Sequence, residues 1–208
     1  MKQKPILSIL IGAIPERFDK ARSLYERLMA EVGDKPVQVL LIMDNRIMQI
    51  GEKRDALVQL AAGKYISFID DDEDFFPGYI DFMLDACSKN VDVITFLQKC
   101  TIDGNSFTVN FDLNNIENEE ARKNESGNYI DINRRPFHVC GWRSKIAKSE
   151  HFAAVGYGED WDWCQRILPK CKTQYKIPGH MHHYIWDSKT TAAPTESNSV
   201  WTNPNDKK

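Results

Sequence analysis

Tyr65-Ile66-Ser67-Phe68-Ile69-Asp70-Asp71-Asp72-Glu73-Asp74 is where the chain declares its architecture. Five strand-forming residues run without a break into five acids, the pattern of a buried strand that delivers a carboxylate cluster to its own carboxyl end. Ligand sites in open α/β sheets lie at that end. If the extended backbone continues, alternation sends Asp70 and Asp72 to one side and Asp71 to the other, offering two hard oxygen ligands to one divalent cation. Mg²⁺ or Mn²⁺ that also holds a phosphate suits such a pair. The same acids also read as a solvated turn, or as caps of the helix that Pro77 opens. The apolar strand in front weighs against that reading, because adjacent carboxylates repel one another unless a cation or several N–H donors neutralise them.

Outward from this stretch the pattern alternates. Residues 6–11 predict a buried strand ending at Gly12, and 16–32 a helix with Phe18, Ala21, Leu24, Tyr25, Leu28 and Val32 at helical spacing. Residues 37–43 predict a strand ending at Asp44-Asn45, and 53–62 a helix closed by Gly63 as a C′ glycine. On the carboxyl side, a helix is expected from near Pro77 to about Ser88 and a strand over 91–97. Four such units imply a parallel, right-handed βαβ sheet.

After Leu97 the pattern changes. Residues 101–128 are rich in Asp, Asn, Glu and Gly, as expected of hairpins or a long loop. Structured segments resume at 129–132 and 134–143, with helices expected over 145–152 and from Gly158 to Leu168, and strands over 173–177 and 181–186. Alternation in the last of these predicts His180 and His182 on one face and His183 on the other. The tail 188–208 reads as loose.

Composition sets outer bounds. A chain of 208 residues with 42% apolar content fits one domain, and a net charge of −3 gives no overall attraction to nucleic acid. Cys87, Cys100, Cys140, Cys164 and Cys171 are odd in number and show no C-x-x-C spacing, which points to free thiols in a reducing cytoplasm. The apolar run 6–11 is too short to span a membrane.

Taken in order, these motifs resemble the family 2 nucleotide-sugar glycosyltransferases of the GT-A fold, over roughly 6–186. The resemblance implies a Rossmann-like, mostly parallel α/β sheet flanked by helices, with a smaller acceptor-side region. It implies one domain over 1–187, in which 1–97 form the nucleotide-sugar half and 98–187 the acceptor and catalytic half. Ala13-Ile14-Pro15-Glu16-Arg17 looks like the donor-binding loop, with Pro15 and Arg17 at the donor. Asp44 matches the acid that reads the nucleobase, and Lys53-Arg54-Asp55 the Lys-Arg-Asn element on the nucleotide, with Asp in place of Asn. Asp70-Asp71-Asp72 is similar to the D-x-D, implying Asp70 and Asp71 at the donor and Asp70 and Asp72 on Mn²⁺ or Mg²⁺. Glu159-Asp160 resembles the pair that carries the catalytic base, and His183, followed by Tyr184, the histidine that completes the metal shell.

The chemistry can be argued independently. When a nucleoside diphosphate sugar reacts, charge builds on the leaving phosphate, and a divalent cation stabilises it. Inversion at the anomeric carbon needs one carboxylate on the opposite face to take the acceptor hydroxyl's proton, and Asp160 is the choice, with Glu159 orienting the acceptor. On the acceptor side, Arg135, His138 and Trp142 belong to a basic-aromatic stretch, and Trp161 flanks the proposed base. A metal-dependent phosphoryl or nucleotidyl transferase, and a non-catalytic cation or sugar-binding module, remain as alternatives; there is no G-x-x-x-x-G-K-[ST] for the first. The acceptor, a hydroxymethylated DNA base or a glycan among others, is left open, as are the sugar and the oligomeric state.

Overall fold

A computed structural model describes residues 4–188; the tail expected to be loose lies, from residue 189 on, outside them. Strand β1 (Leu7–Ala13) is buried throughout, as an unbroken apolar run requires. A 3₁₀ turn over Pro15–Arg17 leads into helix α1 (Phe18–Val32), which buries Ala21, Leu24, Leu28 and Val32 on one face. Strand β2 (Val37–Met43), helix α2 (Ile50–Leu60) and strand β3 (Tyr65–Phe68) follow. Helix α2 starts three residues earlier than expected, behind a reciprocal cap in which Gln49 and Glu52 bond each other's backbone. Gly63 is not the left-handed cap its position predicts. A Cβ there would stand 2.7 Å from the backbone of Leu7 and Ser8, so close approach explains the glycine.

The short strand β4 (Asp74–Phe75) precedes helix α3 (Tyr79–Ser88), and strand β5 (Val93–Ile102) forms a hairpin with β6 (Asn105–Phe111). The remaining elements are β7 (Ile132–Arg134), β8 (Gly141–Arg143), the single-turn α4 (Ser144–Ala147), α5 (Glu159–Ile167) and β9 (Gln174–Trp186). Helix α4 is shorter than the helix expected over 145–152, and the two late strands are one.

The sheet runs β2-β1-β3-β8-β5-β6-β7, with β9 pairing β5 and β4. Strands β1, β2 and β3 are parallel, but β8 lies between β3 and β5, antiparallel to both. The sheet is therefore mixed where simple alternation predicts it parallel. Trp142, on β8, is thereby carried into the middle of the sheet, fully buried and edge-on to Trp163 at 5.6 Å. Buried residues from Leu7 to Met181 make one continuous apolar cluster. Among the described residues no helix is long and apolar enough to cross a membrane.

Candidate active site

The carboxyl ends of β1, β2 and β3 deliver Ala13–Arg17, Asp44 and Asp70–Asp72 to one rim of the sheet. Strand β3 stops at Phe68, and Asp71-Asp72 form a turn, so the alternation predicted for the acids does not operate. Asp71 and Asp72 turn together toward the loop after β1. Asp71 accepts hydrogen bonds from the Ile14 N–H at 3.0 Å and from Arg17 Nη1 at 2.9 Å, while Arg17 Nη2 lies 2.9 Å from Asp72. Burial, reinforced by the charges of Asp70, Asp71 and Glu73, pushes the Asp72 carboxyl up to about 6 against the pull of Arg17.

Asp70 points elsewhere, into a buried cluster. Arg54 Nη2 donates to both its oxygens, at 2.9 and 2.8 Å, and Arg54 Nη1 contacts Glu159 and lies 3.4 Å from Asp160. Burial alone would raise Asp70, but Arg54 and His138 overcome it and hold the carboxyl well below the usual range. Burial raises Glu159 against the opposing pull of Arg54. The His138 ring stands between the two acids, Nε2 3.7 Å from Asp70 and Nδ1 3.4 Å from Asp160; it is 5% exposed, and neither nitrogen makes a hydrogen bond among the described residues. Two glycines make the cluster possible. Gly158, at φ 80°, adopts the left-handed turn that starts α5 at Glu159. A Cβ on Gly51 would stand 1.8 Å from the Ala153 carbonyl, so only glycine lets α2 approach the chain leading to α5.

The Lys53-Arg54-Asp55 element works inward. Lys53 Nζ donates to the Ala13 carbonyl at 2.8 Å and meets Asp44 at 2.6 Å, joining the ends of β1 and β2. Asp55 accepts from the Phe152 N–H at 3.1 Å. Lys53 and Arg54, expected at the nucleotide, are both buried, 2% and 4% exposed, and held by protein groups. Asp44 also accepts from the N–H groups of Ile47 and Met48, both at 2.8 Å. The bond from Lys53, then that from Met48, lowers its carboxyl to about 2. Both N–H bonds fall on Oδ2, and Oδ1, which faces Lys53, is buried.

The histidines of β9 are placed differently from the expectation. The pairing of β9 with β5 slips between His180 and His182, so Met181 adds a residue and alternation is broken. His180 and His183 both lie against Phe76, with His183 Nε2 2.9 Å from Thr101 Oγ1. His182 takes the opposite face, fully buried, with Nδ1 3.0 Å from Gln98 Nε2 and Nε2 3.0 Å from Glu73. His182 is thus the imidazole that meets Glu73, while His183 pairs Asp74 across the β4–β9 strands. Among the described residues no group of three or more His, Cys, Asp and Glu has the geometry of a metal site.

A cleft of about 660 Å³ opens beside the cluster, lined by Asp70, Glu73, His138, Asp160, Trp161 and, further along, Phe107, Phe111, Arg134 and Tyr184. Of the acceptor-side candidates it gathers His138 and Trp161. Trp142 packs in the core, and Arg135 does not line the cleft; its N–H donates to Asn118. Sequence reasoning missed the hub role of Arg54 and the Glu73–His182 pair, because each rests on contacts between distant segments. The crowding of charged residues at helix starts and strand ends is the one local sign of them.

No protein-family model matches the chain, and no curated protein matches it in sequence. Solved structures do match its fold. The crystal structure of S. aureus TarS 1-349 superposes with a TM-score of 0.54 at 10% identity, covering 86% of this chain and 60% of that one. The same protein in complex with UDP gives 0.55 at 10% identity, over 86% and 60%. Its complex with UDP-GlcNAc gives 0.52 at 9% identity, over 86% and 58%. The mixed sheet with flanking helices is the GT-A fold of TarS, and this chain spans about 60% of the matched TarS chain.

Proposed function

We propose that this protein is an inverting glycosyltransferase that moves a sugar from a nucleoside diphosphate sugar, UDP-type favoured, to a hydroxyl acceptor. The observation that carries the reading is the union of Asp70, His138 and Asp160 on the wall of one cleft, with Arg54 and Glu159 buried behind them, at the strand ends where this fold takes ligands. The GT-A fold, seen in TarS with UDP and with UDP-GlcNAc, supports the donor class.

Asp160 is the general base. Its carboxylate lines the cleft, within reach of an acceptor hydroxyl, and His138 and Arg54 orient it from behind. Glu159, 3% exposed and engaged by Arg54, positions that arginine and does not touch the acceptor. Asp44, at the end of β2, reads the imide N–H of a pyrimidine, and Pro15 and Arg17 flank the donor with Asp71 behind them.

A divalent cation, Mn²⁺ or Mg²⁺, fits Asp72. Burial raises its carboxyl even with Arg17 2.9 Å away, a cost that a cation would relieve, and the Glu73 carboxylate next in sequence is met by His182 at 3.0 Å. Asp70, gripped on both oxygens by Arg54, does not fit in this arrangement, and neither does His183. When bound, the cation supplies charge stabilisation to the departing diphosphate.

Incubation with a panel of nucleotide sugars and Mn²⁺, reading donor hydrolysis with water as acceptor, tests the assignment. Turnover of at least one donor is expected. Turnover of nucleoside triphosphates in its place would favour phosphoryl transfer.

A further inference from the structure

The cleft that holds Asp160 also holds an arginine that no carboxylate pairs among the described residues. Arg134 ends β7, and its carbonyl accepts from the Asp112 N–H at 3.0 Å and Asn115 Nδ2 at 2.8 Å, which fixes its backbone. Its Nε donates to the Glu119 carbonyl at 2.8 Å, which fixes the plane of the guanidinium. Nη1 and Nη2 make no hydrogen bond or ion pair among the described residues, and the side chain lines the cleft.

The other arginines show how unusual this is. Arg17, Arg27, Arg46, Arg54, Arg143 and Arg166 each stand within ion-pair distance of a carboxylate, as do the exposed Arg22 and Arg122. Arg135 has no acid within ion-pair distance among the described residues either, but it does not line the cleft. Burial pulls the Arg134 pKa down, and Cys100, Glu120 and Tyr184 offset this only through space. Glu120 shares the cleft yet makes no ion pair with it. Arg134 is half-buried and its guanidinium stays charged, so an anion entering the cleft would supply the counter-charge that the described residues do not.

Position then says which ligand. Strand β7 is at the far end of the sheet order from β2, whose end carries Asp44 on the donor side. Two free N–H groups in a fixed plane match two oxygens of one oxyanion. We propose that Arg134 is an acceptor-side subsite for a phosphate or carboxylate carried by the acceptor, bound through Nη1 and Nη2. The acceptor assignment rests on the transfer reaction proposed above; the oxyanion site itself does not.

Calorimetric titration of the full chain with inorganic phosphate and with acetate tests it, using wild type, Arg134→Gln and Arg134→Lys. Saturable binding of at least one anion is expected, weakened at least about tenfold in Arg134→Gln and less in Arg134→Lys, which keeps the charge and loses the fork. The stronger of the two anions identifies the oxyanion. Equal binding by wild type and Arg134→Gln, or no binding by wild type, overturns the subsite. If Arg134→Gln does not fold, Arg134→Lys must still bind measurably more weakly than wild type, and unchanged affinity there overturns the subsite. Donor hydrolysis on the same preparations separates the two readings. Absent hydrolysis with anion binding that depends on Arg134 rejects the transferase and keeps the oxyanion site; intact hydrolysis with binding indifferent to Arg134 rejects the subsite alone.

Discussion

Arg54 Nη2 holds both carboxylate oxygens of Asp70, at 2.9 and 2.8 Å, and so joins helix α2 to the end of β3 while Nη1 reaches α5 at Glu159. Removing the guanidinium leaves the buried Glu159 and the quarter-exposed Asp70 without their counter-charge, which costs up to about 3–5 kcal/mol. Arg54→Met is therefore expected to lower the urea midpoint steeply, and Arg54→Lys to recover little of it, since one ammonium cannot serve both acids. Because the Asp70 carboxyl is held low, its stabilisation is fully present above about pH 4 and is lost only as pH falls further. Urea unfolding of wild type and Arg54→Met at several pH values checks both points.

Asp72 has the opposite sign. Its carboxyl is raised to about 6, so the folded state holds a proton that the unfolded state has released, and stability falls as pH rises from about 4 to 6. In chelator, Asp72→Asn removes this cost. Its melting temperature should gain on wild type across that window and stay ahead above it. Added Mn²⁺ should then stabilise wild type and leave Asp72→Asn unmoved. A temperature difference that does not change with pH, or equal responses to Mn²⁺, would contradict the role given to Asp72.

The thiols should be inert. Burial pushes Cys87, Cys100, Cys140 and Cys171 up to about 12 and raises Cys164 well above its ordinary value, so none supplies thiolate at neutral pH. Ellman's reagent at pH 8 is expected to label none of them rapidly in the native protein and all five in denaturant. Rapid labelling of any one under native conditions would overturn this.

What was legible in the sequence follows from how far each feature reaches along the chain. The apolar runs of β1, β2 and β3 and the periodic face of α1 are local, and they locate the rim that carries Asp44 and Asp70–Asp72. Strand β8 has only three residues, Gly141–Arg143, too few to show alternation; its place between β3 and β5 is set by Trp142 packing on Trp163. The slip at Met181 leaves no compositional mark, so the faces of His182 and His183 were exchanged. The Gly-Glu-Asp start of α5 is local and legible, whereas the arginine that contacts it lies 105 positions before Glu159.

The most direct measurement is turnover and donor affinity of Asp160→Asn beside wild type, on one preparation, with melting temperature as the control for folding. A general base acts only in the transition state, so turnover should fall by about two to four orders of magnitude while donor affinity and melting temperature stay close to wild type. Turnover above about a tenth of wild type would contradict the assignment.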